Sequence, residues 1–290
     1  MKTLLGEFNI SEGTDTVKIN AIKDALMEKG DVTLIEVNSD KDHNRSVFTF
    51  YGEPEAVLES AKRFAKKAIE LIDMSVHKGR HPRQGALDVC PFIPMKDVTA
   101  EEAIAISKEF GKYLGSLGVP VFYYEDAATR PDRKNLVDIR RGEYEALPEK
   151  MQDPNWIPDE GPHEFNSKSG ATVTGTRFPL IAFNVNLNTT NLEIGKKIVK
   201  AVRGATGGYQ CVRAMALEIP EKNAIQVSMN LTNYTKTPIH RVFETIKSEA
   251  SAFGVSVIDT ELVGPVPLLA LEDVLKFYLR VHSLSMEQVH

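Results

Sequence analysis

The 290-residue chain has only two cysteines and no long apolar run, and each scarcity excludes a class of protein. Cys90 and Cys211 both lie inside apolar segments, so we interpret them as buried thiols, which excludes a disulfide-stabilised secreted scaffold. No stretch approaches the roughly 20 apolar residues that cross a bilayer, and the N-terminus lacks the apolar core of a signal peptide. We therefore expect a cytoplasmic protein with no membrane partner.

The chain also lacks an excess of basic charge. Its formal net charge is −5, whereas nucleic acids and acidic membranes are bound through a broad basic face. We therefore expect no nucleic acid among its partners. An anionic small molecule needs only a local cationic pocket, so the charge is compatible with such a ligand. With 42% hydrophobic and 26% charged residues, the chain can build one large or two modest cores.

The spacing of apolar residues predicts the same order of elements twice. Two amphipathic helices in each half, the second starting at Pro54 or at Pro238, alternate with short strands in the order β-α-β-β-α-β. We therefore expect an α+β protein with two ferredoxin-like subdomains, residues 1–178 and 179–290. The predicted strands are residues 4–10, 32–37, 46–51 and 86–95 in the first half, and 180–187, 212–217, 224–231 and 255–259 in the second.

Further segments separate the two repeats. A helix near residues 101–117 and a strand at 119–124 extend the first subdomain, and residues 133–147 have helical spacing, with Leu136, Ile139 and Leu147 inward. The rest of the segment up to residue 176 has no sustained period. Long loops in compact domains are usually functional or disordered, and this one carries aromatic residues, so we interpret it as a binding lid.

The most informative segment is the loop at residues 77–88, with the sequence HKGRHPRQGALD. Its glycines and its proline keep it from being helical. Histidine takes and returns a proton near neutral pH, and arginine or lysine neutralises carboxylates, so the loop suits proton transfer on an anionic substrate. Its cationic or titratable side chains are His77, Lys78, Arg80, His81 and Arg83.

The loop has two alternative interpretations. His77 and His81 have the i, i+4 spacing of helical zinc ligands, but Gly79 and Pro82 prevent a helix there. Lys78 also stands where a zinc protease motif has its glutamate, so we expect no metal. In the second alternative both histidines only form hydrogen bonds within the loop. The residues alone leave that alternative open beside an acid/base role.

Polar side chains also stand at the predicted strand ends. Residues 42–45, Asp-His-Asn-Arg, form either a plain turn or a second wall that carries a cation and an amide. The glycine-rich stretch 170–177 superficially resembles a phosphate loop, but Thr176-Arg177 stands where Lys-Ser/Thr must contact phosphate and magnesium. Amides are uncommon in a core because each must be satisfied, so strand-end polar residues indicate a cleft. The residues that we expect beside it are Asn9, Ser11, Glu12, Asn184 and Asn186.

Taken in order, these segments resemble the formiminotransferase domain of glutamate formiminotransferases over essentially the whole chain. So many dispersed matches are specific to that family. Phe8 departs from the proline that the family commonly has, and Gln84 from its methionine, and either change could reshape the pocket. The matching segments are residues 9–13 (NISEG), 42–45 (DHNR), 52–54 (GEP), 71–74 (LIDM), 77–88, 91–94 (PFIP), 170–175 (GATVTG) and 183–187 (FNVNL).

The resemblance implies a fold, a reaction and a site. The two ferredoxin-like subdomains would face each other across a folate-binding groove, usually in a homodimer. A formimino group would move from N-formimino-L-glutamate to N5 of tetrahydrofolate, the co-substrate, in histidine degradation and one-carbon metabolism. His81 would be the catalytic acid/base, near its ordinary pKa. The residues expected to bind folate or substrate are Asn9, Ser11, Asn44, Arg45, Lys78, Gly79, Arg83, Gly161, Pro162, Phe165, Gly170, Asn184, Asn186 and Arg203.

Alternative functions remain open at this point. The same fold and cofactor would serve formyl transfer between 5-formyltetrahydrofolate and glutamate, or use another formimino donor. A folate-binding module without catalysis is the alternative from another class, although the complete loop around His81 argues against it. Because the chain ends near residue 290, we expect a separate cyclodeaminase to carry out the next step.

Overall fold

A computed structural model describes residues 2–284, and the chain divides into two compact units between Arg177 and Phe178. Each unit has its own sheet and its own hydrophobic core. Within residues 2–284 no helix combines the length and the apolar character that crossing a membrane requires.

The first unit is built on a six-stranded sheet with the order β2-β3-β1-β4-β6-β5. Strands β2, β3, β1 and β4 pair antiparallel, whereas β6 pairs parallel with both β4 and β5. Its elements are β1 (Thr3–Ile10), α1 (Thr16–Met27), β2 (Thr33–Asp40), β3 (Arg45–Gly52), α2 (Pro54–Leu71), β4 (Leu87–Lys96), α3 (Ala100–Ser116), β5 (Val121–Glu125), α4 (Leu136–Ile139), α5 (Leu147–Lys150) and β6 (Thr172–Thr176).

The second unit is a four-stranded antiparallel sheet with the order β10-β7-β9-β8. The same order, fourth-first-third-second, relates β4, β1, β3 and β2 in the first unit, which confirms the prediction of two ferredoxin-like α+β subdomains. Its elements are β7 (Ile181–Leu187), α6 (Leu192–Val202), β8 (Val212–Ile219), β9 (Ala224–Leu231), α7 (Ile239–Ala252), β10 (Val257–Val263) and α8 (Leu268–Leu279).

Phe8 lies at the centre of the first core. Its ring packs edge to face against Phe50, Phe64 and Phe92, with centroid separations of 5.1, 5.7 and 5.3 Å, and it has no solvent exposure. Such aromatic pairs stabilise a core beyond the area that they bury. The expectation that Phe8 could reshape the pocket is therefore wrong, because its side chain points into the core.

Two predictions for the connecting segment are also wrong. Residues 133–147 do not form one helix, because Gly142 and Glu143 both have positive φ, 81° and 59°, and interrupt it between α4 and α5. The segment that ends at residue 176 is not irregular over its whole length. Its last part, Thr172–Thr176, forms β6 in the interior of the sheet. Thr172 and Thr174 donate to the carbonyls of Leu87 and Cys90, so their hydroxyls are satisfied there.

Replacing Phe8 by alanine should lower the free energy of unfolding of the first unit by about 3–5 kcal/mol, the usual cost of a cavity left by a buried phenylalanine. Chemical denaturation followed by the fluorescence of Trp156, the single tryptophan of the chain, reports on this unit. The matched control is Val17→Ala, because Val17 is 77% exposed and should change stability by no more than about 0.5 kcal/mol. Equal effects of the two replacements would contradict this description of the core.

Candidate active site

The candidate site lies at one end of the strands of the first sheet, where β1 and β2 end and β3 and β4 begin. The loop before β4 crosses this end of the sheet, and both ends of the loop are held by hydrogen bonds. Ser11 donates from its backbone nitrogen to Ala86 (2.9 Å) and from its hydroxyl to Gly85 (2.8 Å). Asn44 donates to the carbonyl oxygen of Lys78 (2.8 Å). Ser11 is buried, so it anchors the loop from beneath.

His81 contacts the guanidinium of Arg45 at this end of the sheet. Nη1 of Arg45 lies 2.9 Å from Nε2 of His81 and also donates to the amide oxygen of Asn9 at 3.1 Å. Because arginine can only donate, Nε2 of His81 accepts, and a neutral ring carries its proton on Nδ1. The basic nitrogen of His81 is therefore covered by Arg45.

The environment of His81 favours the neutral ring. Burial lowers its pKa from the ordinary 6.5 to about 4, and the charges of Arg45 and Arg140 act in the same direction. The expectation of a histidine near its ordinary pKa is therefore wrong for the site without substrate. Between pH 6.5 and about 4 the unfolded chain binds a proton that the folded chain does not, so stability falls as the pH falls through that window.

Arg140 and Asp88 form an ion pair near His81; the sequence showed no sign of Arg140 here, and it assigned no role to Asp88 within the 77–88 loop. Arg140 follows α4 and donates to the carboxylate of Asp88 at 2.7 Å. Asp88 is buried and also accepts from the backbone nitrogen of Gln84 at 2.8 Å. Burial raises the pKa of Asp88, and Arg140 opposes that shift. The signal was absent because Arg140 lies in the segment that had been predicted as one continuous helix.

His77 has both ring nitrogens engaged. Nε2 donates to the carbonyl oxygen of Asn44 (3.1 Å), and Nδ1 accepts from Nε of Arg83 (3.4 Å). Burial lowers its pKa, so the neutral form holds these bonds. His77 thus joins the loop to β3 and has no ring nitrogen left for chemistry.

Arg83 is already paired with carboxylates. Its guanidinium donates to Glu143 at 3.0 Å and to both oxygens of Glu145 at 2.6 and 2.8 Å, and the residue is 8% exposed. Gln84, fully buried, donates to the carbonyl oxygen of Ile139 at 3.0 Å. Arg83 therefore ties the loop to the segment between α4 and α5, and Gln84 ties it to the end of α4, so Arg83 is not an unpaired cation for a substrate.

The other predicted residues of the first unit lie in several places. Lys78 is exposed on the loop. Gly79 lies so close to the turn before β3 that a Cβ would collide with a carbonyl oxygen there, and Gly170 borders the loop at Gly85. Phe165 packs against the ring of Tyr144. Gly161 and Pro162 lie instead beside the start of β5, three strands away from β1.

Three predicted residues belong to the second unit. Asn184 and Asn186 lie on β7, where both donate to Glu261, and Asn186 also accepts from Gln226. Arg203 follows α6 and lines a cavity of about 430 Å³. Its Nε is buried and has no hydrogen-bond partner among residues 2–284. The other polar side chains that line this cavity are those of Gln210, Arg213, Ser228 and Asn230.

In the part of the chain that the structure describes, no cluster of three or more histidine, cysteine, aspartate or glutamate side chains could hold a metal ion.

The chain is similar over nearly its whole length to one group of enzymes. Residues 4–177 match the family model for the formiminotransferase domain, N-terminal subdomain, and residues 182–289 match the model for the formiminotransferase domain. The chain is 45% identical to a glutamate formimidoyltransferase of Streptococcus pyogenes, over 96% of this chain and 93% of that protein. A glutamate formimidoyltransferase of Thermoplasma acidophilum is also 45% identical, over 96% and 92%. The mouse formimidoyltransferase-cyclodeaminase is 45% identical over 97% of this chain and 53% of its own length.

Removing the guanidinium of Arg45 should raise the pKa of His81. In Arg45→Gln one neighbouring cation is lost while burial remains, so we expect a value above about 4 and still below 6.5. Titration of the imidazole by NMR measures this shift. Arg80→Gln is the matched control, since Arg80 is an exposed cation of the same loop. An unchanged His81 titration in Arg45→Gln would show that Arg45 does not act on the ring.

Proposed function

The chain belongs to the formiminotransferase family, and we propose that it transfers the formimino group of N-formimino-L-glutamate to N5 of tetrahydrofolate. The single observation that carries the mechanism is the hydrogen bond between Arg45 and His81. It joins a cation suited to a carboxylate with a neutral imidazole suited to a proton. No metal is needed for this chemistry.

The reaction requires two proton movements. N5 of tetrahydrofolate attacks the formimino carbon, and a tetrahedral intermediate forms. N5 then loses a proton, the bond from carbon to the glutamate nitrogen breaks, and that nitrogen keeps the electron pair and gains a proton. We assign the removal of the N5 proton to Nε2 of His81, which is neutral at physiological pH.

Arg45 must leave Nε2 before His81 can act. Within residues 2–284 its guanidinium bonds only to Asn9 and His81, and its Nε is buried without a partner. A substrate carboxylate offers a stronger, charge-assisted bond than an imidazole does. Binding of that carboxylate would draw Arg45 from His81, uncover the lone pair and reduce the positive field at the ring, which makes His81 a stronger base.

Other site residues support this arrangement without contacting the reacting atoms. Asn44 uses both ends of its amide, because its oxygen accepts from Gly13 (2.9 Å) and its nitrogen donates to Lys78. We propose that Asn44 holds the loop and that Asn9 orients Arg45. Arg140, balanced by Asp88, adds a second guanidinium near the ring.

Several expectations stay predictions. Contacts of folate with the segment from Gly161 to Gly170, with Asn184 and Asn186, and with Arg203 follow from the family resemblance alone. The homodimer, the cytoplasmic location, the pathway and the separate cyclodeaminase are predictions too. Assays with formiminoglutamate and with 5-formyltetrahydrofolate plus glutamate, each followed by folate absorbance, would distinguish formimino from formyl transfer.

Replacing His81 by asparagine should lower kcat by roughly 10²–10⁴, the usual span for the loss of acid/base assistance. Folate affinity, measured by fluorescence quenching, should change little, because a loop histidine supports little of the core. His77→Asn is the comparison: it disturbs the loop but removes no reacting nitrogen, so kcat should fall much less. An active His81→Asn beside an inactive His77→Asn would assign the base to the other histidine.

Replacing Arg45 by alanine should weaken binding of formiminoglutamate by roughly 1.5–3 kcal/mol, the contribution of a hydrogen bond to a charged group. Arg45→Lys should restore only part of the affinity, because a lysine cannot bind a carboxylate bidentately. The KM for formiminoglutamate measures both effects, with Arg80→Ala as the control. If Arg45→Ala kept the KM of the wild type, the substrate carboxylate would bind elsewhere.

A further inference from the structure

A second histidine faces His81 from the turn between β2 and β3. The ring of His43 lies with its centroid 5.9 Å from that of His81, and the two planes are nearly perpendicular at 74°. The turn brings His43 there because Asp40, the last residue of β2, holds it twice. The backbone nitrogen of His43 donates to Oδ1 of Asp40 (2.9 Å), and its Nδ1 lies 2.7 Å from Oδ2.

The second of these bonds orients the ring rather than the turn. An aspartate that only caps a turn needs one oxygen on a backbone nitrogen. The hydrogen bonds from His43 lower the pKa of Asp40, so its carboxylate is ionised at neutral pH and accepts from Nδ1. The lone pair of a neutral His43 ring is then on Nε2, and the side chain is 48% exposed.

The two imidazoles are therefore held in opposite ways. His81 is bonded to a cation, which favours the neutral ring with no proton on Nε2. His43 is bonded to a carboxylate, which can balance the charge of the ring when Nε2 carries a proton. One ring is thus arranged to take a proton, and the other is arranged to give one.

We propose that His43, oriented by Asp40, is a second catalytic residue that gives the proton to the departing glutamate nitrogen. The proposal rests on the proposed formimino transfer. As the carbon–nitrogen bond breaks, the electron pair stays on that nitrogen, which takes the proton from Nε2 of His43, while His81 takes the proton of N5. The two nitrogens share one carbon, so a donor and an acceptor on adjacent rings suit them. Solvent exchange then returns both histidines to their starting forms.

Two segments that carry charged residues meet at His43: the turn between β2 and β3, and the 77–88 loop. The loop lies directly against the turn, because a Cβ on Gly79 would collide with the carbonyl oxygen of His43, and the nitrogen of Arg80 donates to the carbonyl of Asp42. Within residues 2–284, Asp40 is the carboxylate bonded to the ring. The other charged or titratable residues of these two segments are Lys41, Asp42 and Arg45 on the turn and its strand, and Lys78, Arg80 and His81 on the loop.

The test compares three variants of the turn with two formimino donors. His43→Gln removes the proton donor, Asp40→Asn keeps an oxygen for the backbone nitrogen but loses the carboxylate on the ring, and Lys41→Gln alters an exposed charge only. The donors are formiminoglutamate and a formamidine whose leaving amine is an aniline that carries a carboxylate, so that both donors can bind Arg45. An aniline leaves without full protonation, so it needs the acid much less. The measurements are kcat against pH and the unfolding midpoint.

With formiminoglutamate, His43→Gln should lower kcat by roughly 10²-fold, since the departing nitrogen loses its proton donor. Asp40→Asn should lower kcat less, and Lys41→Gln should match the wild type. With the aniline donor, His43→Gln should approach the wild type. The unfolding midpoints should agree among all variants.

Two outcomes would overturn the proposal while the proposed function stands. One is an active wild type whose His43→Gln variant keeps its kcat with formiminoglutamate. The other is an equal loss for both donors, which would show that His43 serves the structure of the turn. A wild type that turns over neither donor would instead reject formimino transfer, and the role of His43 with it.

Discussion

The hydrogen bond from Arg45 to Nε2 of His81 is the interaction on which the account of this site depends. It covers the one lone pair that can act as a base, and it places a positive charge beside a half-buried ring. Burial and two guanidiniums then keep the imidazole neutral down to about pH 4. We propose that the site is closed to proton transfer until a substrate carboxylate binds Arg45.

The ends of neighbouring strands bring Arg45 and His81 together. Asn9 at the end of β1 accepts from Arg45 at the start of β3, and Ser11 fixes the loop that carries His81 through two hydrogen bonds. Arg140, which follows α4, acts on the same ring through its charge, and it is paired with buried Asp88. The side chains near His81 thus come from separate strands and loops. The pairing of the strands, and not the sequence of the 77–88 loop alone, sets their positions.

The sequence predicted what has a clear period or a local motif. Strong amphipathic spacing found α2 and the strands of both ferredoxin-like units, whereas β6 was missed because its small, polar residues show no alternation. The resemblance pointed to His81 and Arg45. Sequence could not show that Arg83 is paired with Glu143 and Glu145, nor that Arg140 reaches the site, because both contacts cross more than fifty residues of chain. Local spacing carries no information on such contacts.

The central claim is that a substrate carboxylate takes Arg45 from His81, and the most direct measurement is the His81 pKa with a carboxylate ligand bound. NMR titration of the imidazole in the presence of saturating L-glutamate, compared with the unliganded protein, provides it. The account predicts that the pKa rises from about 4 toward 6.5, because a cation is neutralised beside the ring. A His81 pKa that stays at its unliganded value while glutamate is bound would contradict the account.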